Sequence, residues 1–175
     1  MTKTWILMAA ALPAMSQQSF DFKTLDKLAS NAKESTNITL EGDALKLATG
    51  FLGQGADALK GLTGVYVRSY EYEQPGQYKD EDLAPLRAYI KSLNWTKVVD
   101  LKEPKESTEI YLHPLPDNKL GGLAIVSAEA KEITVVLISG VMNAADLGKL
   151  GGNLGIPGFL LNYGGKNADS QNKSQ

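Results

Sequence analysis

Apolar and polar residues alternate most regularly between positions 65 and 72. An extended chain places successive side chains on opposite sides, so this pattern predicts a strand. Val65 and Val67 lie on one of its sides. The other side carries a tyrosine-rich set, Tyr66, Arg68, Tyr70 and Tyr72. Pro75-Gly76 ends the strand, because that dipeptide favours a turn.

Further runs of apolar and β-branched residues predict five more strands, at 36–40, 96–101, 109–113, 120–127 and 133–139. The last four follow one another with short polar links, which is typical of an antiparallel meander. The segment 133–138 is apolar on both sides. It is therefore expected to be a central strand covered on each side, or a strand at a packed edge.

Helical spacing of apolar residues predicts helices at 22–31, 45–52, 80–94 and 144–154, with a short helical segment marked by Ala56, Leu59 and Leu62. Gly148, Gly151 and Gly152 weaken the last helix. Together with the meander, these elements predict a two-layer α+β domain, with helices gathered on one face of a mostly antiparallel sheet.

The first 16 residues have the pattern of a secretory signal peptide, with Lys3, an apolar run, and small residues at Ala14 and Ser16. We expect cleavage after Ser16, with the alternative that this run is a buried N-terminal helix. The interpretation gives a single domain at 17–163 and a disordered polar tail at 164–175. It also predicts a periplasmic or secreted protein without a transmembrane helix, since no apolar run is long enough.

The composition of the chain excludes several kinds of chemical site and partner. The chain has no cysteine, which excludes disulfides, thiolate metal sites and a lipid-modified cysteine. With 18 basic and 20 acidic residues it has no concentrated basic face for nucleic acid. The glycines between Gly50 and Gly64 lack the Gly-Lys-Ser/Thr ending of a phosphate loop, so turns and helix ends are favoured. We therefore predict no cofactor and no metal site.

Several phrases along the chain resemble an uncharacterised bacterial exported family, the domain of unknown function 4252. They are the passages 65–71, 86–95, 136–140 and 145–158, and the likeness covers nearly all of the mature chain. The resemblance implies an envelope or periplasmic protein, often found beside regulators of the sigma and anti-sigma kind, with no established activity. This chain differs from many members of that family in lacking a lipid-attachment cysteine.

Two surfaces are candidates for binding a protein or lipid partner in the envelope. The first is a tyrosine face, predicted if two strands turn the same way: Tyr66, Arg68, Tyr70, Tyr72, Tyr111 and His113. The alternative is an ordinary solvated sheet face. The second is an apolar C-terminal segment, formed by Ile156, Phe159, Leu160 and Leu161, which either docks on the core or meets a membrane or partner.

The leading hypothesis is an exported, non-enzymatic binding or interaction protein. The alternative is a hydrolase with an unfamiliar site around His113, the single histidine, which would need a nucleophile within hydrogen-bond reach. A third hypothesis is self-assembly through exposed sheet edges. The acidic clusters at 71–82 and 103–109 are interpreted as solvated charge and helix caps, because a glycosidase needs two opposed acids in a cleft.

Overall fold

The computed structural model describes residues 20–51 and 60–143. The predicted signal peptide, the predicted helix at 144–154, the apolar C-terminal segment and the polar tail lie outside the described residues. The same holds for Ala56 and Leu59.

Six strands form one sheet in which every neighbouring pair is antiparallel. The strands are β1 (Glu34–Glu41), β2 (Leu62–Glu71), β3 (Thr96–Glu103), β4 (Glu106–Leu115), β5 (Lys119–Glu129) and β6 (Glu132–Asn143). Their order across the sheet is β1-β2-β6-β5-β4-β3. The predicted meander is confirmed, and β6, which contains the segment apolar on both sides, lies centrally between β2 and β5.

Three α-helices accompany the sheet in the described part of the chain: α1 (Asp26–Asn31), α2 (Gly42–Phe51) and α3 (Ala84–Ser92). Single 3-10 turns precede α1 at Phe22–Leu25 and α3 at Asp80–Leu83. The helix predicted at 80–94 therefore begins with a 3-10 turn. Leu62, expected in a helical segment, instead begins β2, where its side chain joins the apolar cluster of the sheet.

The front face of the sheet, defined as the side that carries Tyr70 and Val135, is covered by α1 and α3. Leu28 of α1 and Leu86 and Ile90 of α3 are at most 1% exposed and belong to one cluster with the strand residues. Burial of several such side chains, each contributing about 1.5–3 kcal/mol, stabilises this layer.

The back face, on the opposite side, carries a second apolar cluster that includes Val65, Ile125, Val136 and Ile138. Leu45 of α2 belongs to this cluster. The α+β architecture with an antiparallel sheet is thus confirmed. The prediction that the helices gather on one face is not, because α1 and α3 contact the front and the buried side chain of α2 contacts the back.

Candidate functional site

The predicted tyrosine face is part of the front core. Tyr66, Tyr70, Tyr72 and Tyr111 do lie on the same side of the sheet, as the alternation suggested, but they are only 1–5% exposed. Burial raises the pKa of Tyr72 to about 12 and, with the neighbouring Glu109, that of Tyr111 to about 12. These hydroxyls are therefore internal donors, and Tyr72 donates to the carbonyl of Leu28 at 3.1 Å. The structure does not offer them as an open docking face.

Arg68, the cation of the predicted face, is held against the edge of the sheet. Its guanidinium donates to the Ile38 carbonyl at 2.6 Å and to the Thr39 hydroxyl at 2.9 Å, both on β1. It also stacks 4.0 Å above the ring of Phe22. Burial lowers its pKa. The side chain thus fastens the N-terminal turn to β1 and β2.

His113 lies half-buried beside Trp95, with the two rings nearly parallel at 17° and their centroids 6.3 Å apart. Within residues 20–51 and 60–143, no serine, threonine or carboxylate hydrogen-bonds to it. A general base needs a proton donor within about 3 Å. The described arrangement does not bring a nucleophile to His113, so it lends the hydrolase hypothesis no support.

The most polar buried group on the front face is the carboxylate of Glu109, which is 2% exposed. Arg87 Nε donates to it at 3.0 Å, Lys97 Nζ at 3.0 Å and the Tyr111 hydroxyl at 2.7 Å. Arg87 also holds Asp80 at 2.6 Å through a second nitrogen. We call these residues, with Asp100 paired to Lys97 at 3.1 Å, the Glu109 cluster.

The electrostatics of the Glu109 cluster favour the ionised form of the Glu109 carboxylate. Burial opposes ionisation of Glu109, but the donors on Tyr111, Lys97 and Arg87 outweigh it and hold its pKa below the usual range. A carboxylate that stays ionised and has three donors is a poor general base or acid. The cluster fastens α3 to β3 and β4, a structural role that the sequence pattern did not reveal.

A different polar feature crosses the end of the back face. Glutamates stand directly opposite one another in successive strand pairs: Glu34 faces Glu71, Glu71 faces Glu132, Glu129 faces Glu106, and Glu106 faces Glu103. Glu129 and Glu132 flank the two-residue turn between β5 and β6. Because opposed residues point to the same side of a sheet, the six form one line across all six strands. We call it the glutamate row.

The glutamate row is open to solvent. Glu106 is half-buried and the other five are exposed. Among the described residues, the ion pair recorded for the row is Lys33 with Glu34, at the long distance of 3.8 Å. Glu132 accepts hydrogen bonds from Ser69 and Thr134 at 2.9 Å and 3.2 Å. Lys105 and Lys131 sit in the adjoining turns, where Lys131 donates to the carbonyl of Glu73.

Two further features adjoin the row. Two residues inward along each of five strands, hydroxyl side chains cross the same face: Thr36, Ser69, Thr134, Ser127 and Thr108. Thr108 is 2% exposed and its hydroxyl has no hydrogen-bond partner. At the β3–β4 end, Glu103, Glu106 and Glu129 border an open groove of about 450 Å³ that lies mainly on the front side, where Lys102, Ser107 and Ala128 line it.

Neutralising opposed glutamates of the row is expected to stabilise the fold. Like charges directly opposite one another in a sheet are unfavourable, by about 0.2–1 kcal/mol per pair. Glu71→Gln removes repulsion with both Glu34 and Glu132, so its midpoint in urea should rise at low ionic strength, and added salt should reduce the gain. Glu81→Gln, which is exposed but off the row, is the control. An equal or larger gain in the control would contradict the row's repulsion.

The row is spread in a line and does not converge on a point. Within the part of the chain that the structure describes, no group of three or more His, Cys, Asp or Glu residues is placed to hold a metal ion. Nor is any helix in that part long and apolar enough to cross a membrane. The row can therefore offer several separated negative charges to a partner, in contrast to a single chelating site.

Sequence reasoning missed the row because its members come from six strands. Along the chain, Glu71 lies with Glu73 and the acids of the next helix, and Glu103 and Glu106 lie with Glu109. The registers show that Glu109 faces the front, while Glu106 faces the back. The sequence does contain one indication of the row. Each predicted strand has a glutamate at or near one of its ends, and these ends lie on the same side of the sheet.

Comparison with known proteins gives one family. The model of a family described as a domain of unknown function (DUF4252) matches residues 27–150, which is well over half of the chain. No curated protein and no solved structure matches.

Proposed function

This chain belongs to the DUF4252 family, and from that premise we propose that it is an exported, non-enzymatic binding module of the bacterial envelope. The exported part of the proposal rests on the N-terminal pattern of Lys3, an apolar run and small residues before Gln17. A place beside sigma or anti-sigma regulators rests on the family resemblance alone. The partner is proposed to be a protein.

The observation that carries the binding proposal is the glutamate row. Like charges that stand opposite one another in four strand pairings cost stability, and nothing in the packing of the described residues requires them, since glutamines would fit the same positions. Proteins commonly keep locally unfavourable groups at functional sites. By contrast, the buried Glu109 cluster is internally paired and the tyrosines are in the core, so neither is available to a partner.

The proposal can be tested in cells with the full chain, including its leader. A photo-reactive amino acid is placed at Glu129 or, as a control on another surface, at Glu81. After fractionation, the N-terminus of the product is sequenced and cross-linked species are identified. We expect a mature chain that begins at Gln17 in the envelope fraction, and a discrete protein adduct from position 129 that is absent from position 81.

Two results would overturn this proposal. A product that stays in the cytoplasm with its leader intact would contradict the proposed export. Equal, diffuse labelling from both positions would contradict binding at the row.

Incubation of the purified chain with ester and amide substrates tests the hydrolase alternative, and turnover that His113→Asn abolishes would favour it.

A further inference from the structure

We propose that the outer edge of β1 pairs with β1 of a second copy of this chain, so that two sheets join into one across a two-fold axis. This interface is separate from the glutamate row and does not depend on it. The sheet has two edge strands, β1 and β3. An edge strand presents unpaired N–H and C=O groups that can pair with another chain, unless the edge is protected.

The two edges differ in protection. On β3, the register with β4 shifts between Lys97 and Val99, which marks a bulge, and Lys97 and Lys102 lie on the strand. Bulges and lysines are common means of preventing edge pairing. The eight residues of β1, in contrast, pair with β2 without a shift and include no lysine or proline, and seven of them are exposed. The unprotected edge is therefore β1.

The contacts of Arg68 show which backbone groups of β1 point outward. Its Nη1 donates to the carbonyl of Ile38 at 2.6 Å and to that of Val67 at 2.9 Å. These two residues are opposed, so one nitrogen reaches both oxygens only if both lie between the strands, as in a hydrogen-bonded pair. Hydrogen-bonded and non-hydrogen-bonded pairs alternate along the strands. The outward N–H and C=O groups therefore belong to Ser35, Asn37 and Thr39.

One antiparallel register uses all of these outward groups and is complementary to itself. With Asn37 opposite Asn37 of the second copy, Ser35 lies opposite Thr39 and about six main-chain hydrogen bonds form. The same register places Lys33 opposite Glu41 at both ends. Lys33 is available for this contact, because its side chain is 55% exposed and its ion pair within the chain is long, at 3.8 Å.

The end charges favour this register over its neighbours. The next registers that keep the outward groups aligned are shifted by two residues, which separates Glu41 from Lys33. In the proposed register Ile38, which is 43% exposed, lies diagonally across from Ile38 of the second copy, within reach of a long side chain. Because both copies use the same strand, the interface closes on a dimer whose remaining edges are the protected β3 strands.

Single cysteines test the position of the interface, since the chain has none of its own. Asn37→Cys places two sulfurs across the axis, where opposed Cα atoms lie about 5.5 Å apart, a distance that a disulfide spans. Val98→Cys, exposed on the β3 edge, is the matched control. Under mild oxidation, Asn37→Cys should form covalent dimer at least about tenfold faster, because pairing raises the effective concentration of its thiols. Equal rates would overturn the proposal.

Exchanging the end charges tests the register by sedimentation velocity. Lys33→Glu and Glu41→Lys each place like charges at both ends, so the dissociation constant of each variant alone should rise about tenfold or more. An equimolar mixture of the two restores both lysine–glutamate contacts and should dimerise as the parent chain does. A parent chain that stays monomeric up to about 1 mM, or a mixture that associates no better than its components, would overturn the proposal.

A further variant guards against loss of folding, since Glu41 accepts a hydrogen bond from the Tyr66 hydroxyl. Asn37→Pro removes an N–H that points away from β2, and proline is tolerated at such edge positions. Its circular dichroism should match that of the parent chain, while its dissociation constant should rise about tenfold or more. A folded Asn37→Pro variant that dimerises as well as the parent chain would place the interface elsewhere and reject the β1 edge.

Discussion

Replacing Arg87 by methionine is expected to destabilise the fold by about 2–3 kcal/mol. Removing one partner of a buried ion pair typically costs about 3–5 kcal/mol, because a charge is left uncompensated. The cost is reduced here because Lys97 still contacts Glu109 and the Arg87 side chain is 21% exposed. Urea unfolding followed by circular dichroism measures the change in the free energy of unfolding.

Lys27→Met is the matched control for Arg87→Met. Lys27 also pairs with a carboxylate, Asp82 at 2.6 Å, but its side chain is 72% exposed. Such surface pairs contribute roughly 0–1 kcal/mol. If Arg87→Met and Lys27→Met had the same small effect, the Glu109 cluster would not be the contact that fastens α3 to the sheet.

The Glu109 cluster also sets the direction of the pH dependence. The folded pKa of Glu109 is lowered, by its donors against the effect of burial, and that of Asp80 is lowered chiefly by its hydrogen bond from Arg87. A lowered folded pKa contributes stability that is present above the unfolded carboxyl pKa and is lost as pH falls through the folded value. Arg87→Met should therefore lose less stability between neutral and acidic pH than the parent chain does.

Gly122→Ala is expected to destabilise by about 1–3 kcal/mol, the usual cost of overpacking a core. A Cβ at this position would lie 2.4 Å from Cζ2 of Trp95 and 3.1 Å from the carbonyl of Ile138. Trp95 is 7% exposed and Ile138 is fully buried, so neither can move away freely. Thermal unfolding measures the loss as a lower midpoint.

Gly121→Ala, one residue earlier on β5, is the control for the overpacking effect. Its Cβ would meet the ring of His113 at 2.9 Å, but that ring is only half-buried and can rotate toward solvent. The loss of stability should be smaller than for Gly122→Ala.

A second variant, Trp95→Phe with Gly122→Ala, should be more stable than the sum of the single changes predicts, since the smaller ring vacates the space that the new methyl group needs. Strict additivity would contradict this contact.

The arrangement of the sheet could be predicted from the sequence because it depends on local patterns. Alternation from position 65 and the short links between the later strands were sufficient for β2 and for the meander. Alternation also grouped the tyrosines within each strand, but the shared side of Tyr111 and Tyr66 was only a condition, because it depends on the registers of the strands between them. Alternation cannot say which side a helix will cover, so the tyrosines that looked like an exposed face are in the core.

The candidate site depended on information that local patterns lack. Glu103 and Glu106 are near in sequence, but Glu34 and Glu71 meet them in one row only through the registers of five strand pairs. A shift of one residue in any register would send a glutamate to the other face. The burial of Glu109, three positions after Glu106, likewise depends on α3 lying over the front face.

The most direct test of the central claim, that the glutamate row is the binding surface, is a backbone amide NMR titration of the labelled chain with a synthetic lysine decapeptide, a cationic probe of acidic surfaces. The account predicts that the largest shifts fall on the row and its flanks: Glu34, Glu71, Glu103, Glu106, Glu129, Glu132 and Thr108. Amides near Glu81 and Asp43 should remain unchanged. Shifts centred on those two residues, or spread evenly over the acidic surface, would contradict the account.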